Sequence, residues 1–220
     1  MIKAVLFDLD GTILDRQTSL KYFIDYQYDK FHSFFKHVDK NTFKNKFIEL
    51  DQNGYVWKDK VYQQLIDIFN VENLTMSYLL NDYIDNFCNY CLSFEDLEET
   101  LNELYSRGYK LGIITNGKYP FQFKNIKALG IEEYMSVILV SEKEKIKKPN
   151  PLIFERAANT LNVKLKECIF VGDSLKNDYE ASKSVGMNSI YKIDKDNKNY
   201  TTETVIRDLS EIIQLIRTFE

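Results

Sequence analysis

The chain is sparing with several residue types. Its 220 residues include three cysteines, three prolines, eight glycines, two histidines and one tryptophan. Cys88 and Cys91 form a lone C-x-x-C with no second pair, and His32 and His37 are remote in sequence and belong to no motif, so no zinc-binding pattern is present. With Cys168 in an apolar run, the three thiols read as buried or half-buried core groups. No block of one charge stands out. The 29 basic and 33 acidic residues leave a formal net charge of -4, which argues against a nucleic acid polymer as partner. No apolar stretch approaches the roughly 18 residues that span a bilayer, and the N-terminus runs directly into a strand pattern rather than a leader. These absences predict a cytoplasmic protein off the membrane; the expected state, which no residue pattern dictates, is monomer or homodimer. Repeats and low-complexity tracts are also missing.

With 44% hydrophobic residues there is ample material for a core. The chain opens with Ile2, Ala4, Val5, Leu6 and Phe7, a nearly continuous apolar run suited to a parallel strand buried on both faces. It ends in Asp8, Leu9, Asp10 and Gly11. If the extended conformation lasts to residue 10, the two carboxylates lie on one side of the chain, about 6–7 Å apart. Ligand sites of open α/β sheets form just past such strand ends, although D-x-D-G alone is equally compatible with a solvated Asx turn.

From Asp15 to Leu92 there is one glycine, Gly54, no proline and no strand pattern. Aromatic residues are dense, and apolar residues recur at helical spacing, as in Val61, Leu65, Ile68 and Phe69. The segment reads as about four helices in a small bundle, with the aromatic stripe as its core. From Ser93 the pattern alternates. A helix capped by Ser93 runs to about Arg107 and ends at Gly108, followed by KLGIIT (110–115) and a helix stopped by Gly130. Next come VILV (137–140), a helix after Pro151, CIFV (168–171), a helix from near Asp178 to Gly186, and SIYKI (189–193). Residues 194–204 read as polar loop and 208–219 as a last helix. Alternation predicts an α/β fold, a doubly wound parallel sheet (Rossmann-like) formed by 1–14 and 93–220, with 15–92 inserted as a helical domain.

Polar groups recur at the strand ends. Thr115-Asn116-Gly117 follows the second strand. Lys147 and Lys148 follow the third, and Gly172-Asp173-Ser174 the fourth, with Asn177 and Asp178 just beyond. Each is weak alone. Together they place Asp, Asp, Thr, Lys and Asp on one edge of one sheet. Phosphoryl transfer through a carboxylate needs such a set: a nucleophilic Asp, a hard cation held by oxygens, a lysine against the developing charge, and a second Asp for proton transfer.

At these positions the chain resembles the haloacid dehalogenase (HAD) superfamily of phosphohydrolases. The motifs are FDLDGT, the Thr115-Asn116-Gly117 turn, Lys148 in KKPNP, and GDSLKND. The stretch VSEKEKIKKPNPLIFERA resembles the capped subgroup (subfamily I), in which a helical cap follows the first motif. The resemblance implies Mg²⁺ as cofactor, Asp8 as nucleophile and metal ligand, and Asp10 as general acid/base that also reaches the metal. It implies Thr115, the Asn116 amide and Lys148 as phosphate-binding groups and Asp173 as metal ligand. Asp178 would act through a metal-bound water or orient Lys148; Asn177 would share that outer role or cap the next helix. Asp10 favours phosphatase over dehalogenase chemistry, because a halide leaving group needs no proton. The segment before Lys148 lacks the glycine common in relatives, so Lys147 is an alternative to Lys148. The implied activity is hydrolysis of a small phosphorylated metabolite of nucleotide, sugar phosphate or phosphoglycolate type. The alternatives are a phosphomutase of the same superfamily and, in another class, a receiver-like phospho-Asp signalling module.

Overall fold

The computed structural model describes residues 1–194, 202 and 204–219. Two compact units emerge, one formed by Met1–Asp15 with Ser93–Glu220, the other by Arg16–Leu92.

The first unit is built on a parallel sheet. Its strands are β1 (Ala4–Phe7), β2 (Lys110–Thr115), β3 (Met135–Val140), β4 (Cys168–Gly172), β5 (Asn188–Lys192) and β6 (Val205–Ile206), in spatial order β3-β2-β1-β4-β5-β6. All pairings are parallel. β1 sits centrally, with Phe7 opposite Ile113 of β2 and Val171 of β4. The chain winds outward from β1 through β2 to β3, then returns to the other side of β1 at β4. The order therefore reverses at β1 and β4, where open α/β sheets place their ligand crevice. Every residue of β1 and β4 is buried, as the unbroken apolar runs require. Leu6, Ile114, Val137, Ile153, Phe154 and Phe170 pack one core cluster, with the Phe154 and Phe170 rings edge to face at 5.1 Å.

The second unit contains helices α1 (Arg16–Lys30), α2 (Lys40–Asp51), α3 (Lys58–Ile68) and α4 (Met76–Asn86). Phe35, Phe43, Phe47 and Tyr62 are fully buried and touch ring to ring in turn, with Phe35–Phe43 at 4.7 Å and Phe47–Tyr62 at 5.5 Å, and fully buried Phe23 meets Tyr83 at 5.3 Å. The aromatic stripe is core. Inside the same unit, buried Asp51 is paired with Arg16 and Lys58 and accepts from the Gly54 N–H at 2.8 Å. A charge so enclosed needs that many partners.

Several local expectations are corrected. Ser93 does not cap a helix: it bridges to Leu14, and α5 (Leu97–Ser106) begins after Asp96. α6 (Phe121–Ala128), α7 (Ser141–Glu144) and α8 (Pro151–Thr160) follow. The helix expected from Asp178 begins earlier, as a wide π-type turn over Leu175–Glu180 that runs into α9 (Ala181–Ser184). Its cap is Ser174, whose Oγ accepts from the Asn177 N–H at 3.2 Å, so Asn177 is not the cap. The last helix is α10 (Ile212–Ile216) between two short 3-10 turns. β6 was not anticipated, since two residues show no periodicity. Of the expected loop at 194–204, residues 195–201 and 203 lie outside the described residues.

Candidate active site

Asp8 follows β1 and Asp173 follows β4, so the two acids straddle the point where the strand order reverses. The Asp8 N–H donates to Val171 O at 2.9 Å, continuing the sheet ladder one residue past β1. Carboxylate oxygens of Asp8, Asp173 and Asp178 all lie within 4.8 Å of one another. Lys148 enters this group from the β3–α8 connection. Its buried ammonium is 2.6 Å from Asp8 Oδ1 and 2.6 Å from Asp178 Oδ1.

Glycine makes the closeness feasible at two positions. Gly11 has φ +81°, and a β-carbon there would collide with the Asp173 carboxylate. At Gly172 a β-carbon would run into the Asp178 side chain. Asp178 is held by the Ser174 N–H, which donates to its Oδ2 at 2.9 Å.

Electrostatics follow from crowding. Burial pushes the Asp8 carboxyl well above the usual carboxylate range; Lys148 pulls it down, while Asp178, Asp173 and Asp10 push it further up. Asp173 is exposed as a residue, but its carboxyl end is pressed against Gly11, and desolvation there, followed by the Asp178 charge, raises it to about 7. Burial alone would lower the Lys148 ammonium, but Asp8 and Asp178 outweigh it and the net shift is upward. Two raised carboxyls, Asp8 and Asp173, with Lys148 as the lysine in contact with the cluster, mark a site short of positive charge. The all-oxygen donors of Asp8 and Asp173 fit a divalent cation there, and Asp178, already engaged by Lys148 and the Ser174 N–H, suits a supporting place.

The remaining expected residues join the same edge. The Asn116 side chain is spent on the Lys148 backbone, donating from Nδ2 to Lys148 O and accepting the Lys148 N–H at Oδ1, both at 2.9 Å. A part for Asn116 in phosphate binding therefore falls to its main-chain N–H. Buried Thr115 and half-buried Asp10 are linked through Gln122, whose Nε2 donates to Thr115 Oγ1 at 2.9 Å and to Asp10 Oδ2 at 2.5 Å. Lys147 is exposed and Lys148 is the lysine in the site. In a segment that holds no glycine, Lys145 adopts the left-handed conformation, at φ +57°.

Two residues of this site were not foreseen. Gln122 looked like an ordinary helix residue; the available signal was a pair of amides, Gln122 and Asn125, sharing a buried helix face with Phe121 and Ile126. Lys192 read as part of a strand. It is buried, donates to Gly11 O at 3.2 Å and lies over the Phe94 ring. Burial lowers its ammonium, opposed first by Asp173.

The fold and site define a doubly wound α/β protein with aspartates and a lysine gathered at its switch point. The family model described as haloacid dehalogenase-like hydrolase matches residues 5–192, and the chain belongs to that family. It is 28% identical over 229 residues to a glyceraldehyde 3-phosphate phosphatase of Pyrococcus furiosus, covering 98% of this chain and 93% of the other. It is also 28% identical over 195 residues to a phosphoglycolate phosphatase of Colwellia psychrerythraea, covering 86% and 83% respectively. Among solved structures, a HAD phosphatase from Thermococcus onnurineus superimposes with a TM-score of 0.70 at 29% identity, over 98% of each chain. Among the described residues no helix is long and apolar enough to cross a membrane.

Proposed function

We propose that the chain is a Mg²⁺-dependent phosphomonoesterase acting on a small phosphorylated metabolite through an aspartyl-phosphate on Asp8. The observation that carries this reading is the Lys148 ammonium, 2.6 Å from both Asp8 and Asp178 within the acidic cluster at the switch point. A nucleophilic carboxylate meeting a phosphate dianion needs positive charge on both, and Lys148 supplies the fixed part of it.

Asp8 attacks phosphorus, and the bond to the leaving oxygen breaks as Asp10 gives that oxygen its proton. Asp10, now ionised, takes a proton from water whose oxygen bonds to phosphorus. The Asp8–phosphorus bond breaks and inorganic phosphate leaves. Thr115 and the Asn116 main-chain N–H hold the phosphoryl oxygens, and Asn116 fixes the Lys148 loop. Asp8 and Asp173, with the Asp10 main chain, would hold Mg²⁺, which when bound neutralises charge between the phosphate and Asp8. Asp178 orients Lys148. The Arg16–Leu92 unit, inserted directly after the first motif, takes the part of a cap that selects the leaving group. The similarity to phosphatases acting on glyceraldehyde 3-phosphate and phosphoglycolate supports three- and two-carbon phosphates as first substrates to try.

Phosphate release from a panel of such esters, with Mg²⁺ and with chelator, tests the reading in wild type and Asp8→Asn. Metal-dependent release abolished by the substitution is expected. Release that survives Asp8→Asn would overturn the nucleophile, and product phosphorylated at a new position without free phosphate would mean a mutase.

A further inference from the structure

Gln122 opens α6 with its side chain only 3% exposed, on the face that also buries Phe121, Asn125 and Ile126. A buried amide is costly unless its polar atoms are bonded, and here they are bonded in one direction. Nε2 donates to Asp10 Oδ2 and Thr115 Oγ1, while Oε1 accepts from Asn125 Nδ2 at 3.1 Å. A carboxylate only accepts, so the nitrogen end must be the one that faces Asp10. The approach depends on Gly117, where a β-carbon would lie 2.6 Å from Gln122 Cγ.

We propose that Gln122 is a positioning residue for both halves of the reaction, an inference that rests on the phosphatase reading above. With an N–H on Oδ2, the proton that Asp10 transfers is kept on Oδ1, the oxygen turned away from Gln122. With an N–H on its oxygen, the Thr115 hydroxyl must point its own proton elsewhere, so it is available to a phosphoryl oxygen. One amide thereby sets which atom of Asp10 is acid and then base, and which way Thr115 donates. Asn125 locks the amide against a flip.

The test uses p-nitrophenyl phosphate, whose leaving group departs without protonation. Formation of the aspartyl-phosphate then does not need Asp10, whereas its hydrolysis does. In Gln122→Leu, rapid-mixing kinetics should show a burst of p-nitrophenol stoichiometric with enzyme, followed by turnover slowed about 10²-fold. The ratio of burst rate to steady-state rate should rise at least tenfold over wild type, and KM should fall along with kcat so that kcat/KM is little changed. Gln122→Asn, one methylene short, should behave likewise if the leucine variant folds poorly. In metal-free, ¹⁵N-labelled protein, the Gln122 side-chain amide resonances should move on Asp10→Asn. Turnover like wild type, or uniform loss of both phases, overturns the inference while leaving the phosphatase reading intact. Wild-type hydrolysis that survives Asp8→Asn overturns both.

Discussion

The α-carbon of Gly11 lies against the Asp173 carboxylate: a β-carbon at position 11 would sit 2.8 Å from Asp173 Cγ and closer still to Oδ2. The glycine is thus part of the acidic site, because any side chain there would take the place of a carboxylate oxygen. Lys192 also holds this loop, through Gly11 O.

Gly11→Ala is expected to lower stability by about 1–2 kcal/mol through the left-handed backbone alone and to displace Asp173. Activity titrated against Mg²⁺ should show at least a tenfold weaker requirement constant. Gly108→Ala is the control, because Gly108 has φ +82° with no atom within 4 Å of the added carbon. It should lose similar stability and keep the wild-type metal dependence. Equal metal dependence in the two variants would separate Gly11 from the site.

Much of this was legible from the residues, and the rest was hidden for identifiable reasons. β1 and β4 announce themselves because strands buried on both faces tolerate only apolar side chains, whereas Asp8 and Asp173 stood out only in company with the other strand-end groups, since each motif alone also fits an ordinary turn. Val61 and Leu65 were readable as core from spacing, and both are fully buried. Gln122 was not, because a glutamine's meaning lies in what its amide touches across 112 residues of chain, and periodicity carries no such information. Lys145 was hidden differently. Its left-handed backbone is dictated by the loop, against the preference of its own side chain. The displaced helix start at Ser93 reflects competition: the residue is taken by a bridge to Leu14, and the helix waits for Asp96.

Lys148→Met should abolish most activity, about 10²–10³-fold, and leave Asp8 buried without its counter-charge, costing about 3–5 kcal/mol near neutral pH. The sign of the pH dependence follows from Asp8. Burial already raises its carboxyl, and loss of Lys148, the one group pulling it down, raises it further. The folded state then holds the proton more tightly than the unfolded chain, so stability is full below the ordinary carboxylate range and falls as pH rises. Thermal melts in chelator should show the gap between variant and wild type widening from pH 5 to pH 8. A gap independent of pH would contradict the burial of Asp8.

In the helical unit, Phe23 is fully buried with the rings of Tyr26, Tyr83, Phe87 and Tyr90 centred 5.9, 5.3, 5.8 and 5.9 Å away. Phe23→Ala should cost about 3–5 kcal/mol in denaturant unfolding. Neighbouring Tyr22 is 56% exposed, and Tyr22→Ala should change stability by about 0.5 kcal/mol or less. Similar losses at both positions would mean that the stripe is not the bundle's core.

The thiols should separate by reactivity. Cys168 is fully buried on β4, donates to Lys164 O at 3.4 Å, and is pushed by burial to about 12. Cys88 and Cys91 are half-buried. Thiolate is the reactive form, so an aromatic disulfide reagent at pH 8 should titrate Cys88 and Cys91 in the folded protein and reach Cys168 only on unfolding. The same shift has a stability consequence. The unfolded thiol ionises near its ordinary value of 9.0 while the folded one keeps its proton to about 12, so the stabilisation present below pH 9 is lost as pH rises through that window. Cys168→Ala should start from a lower melting temperature, yet lose less of it between pH 9 and pH 11 than wild type does. A Cys168 that reacts in the folded state as fast as Cys88 would overturn both expectations.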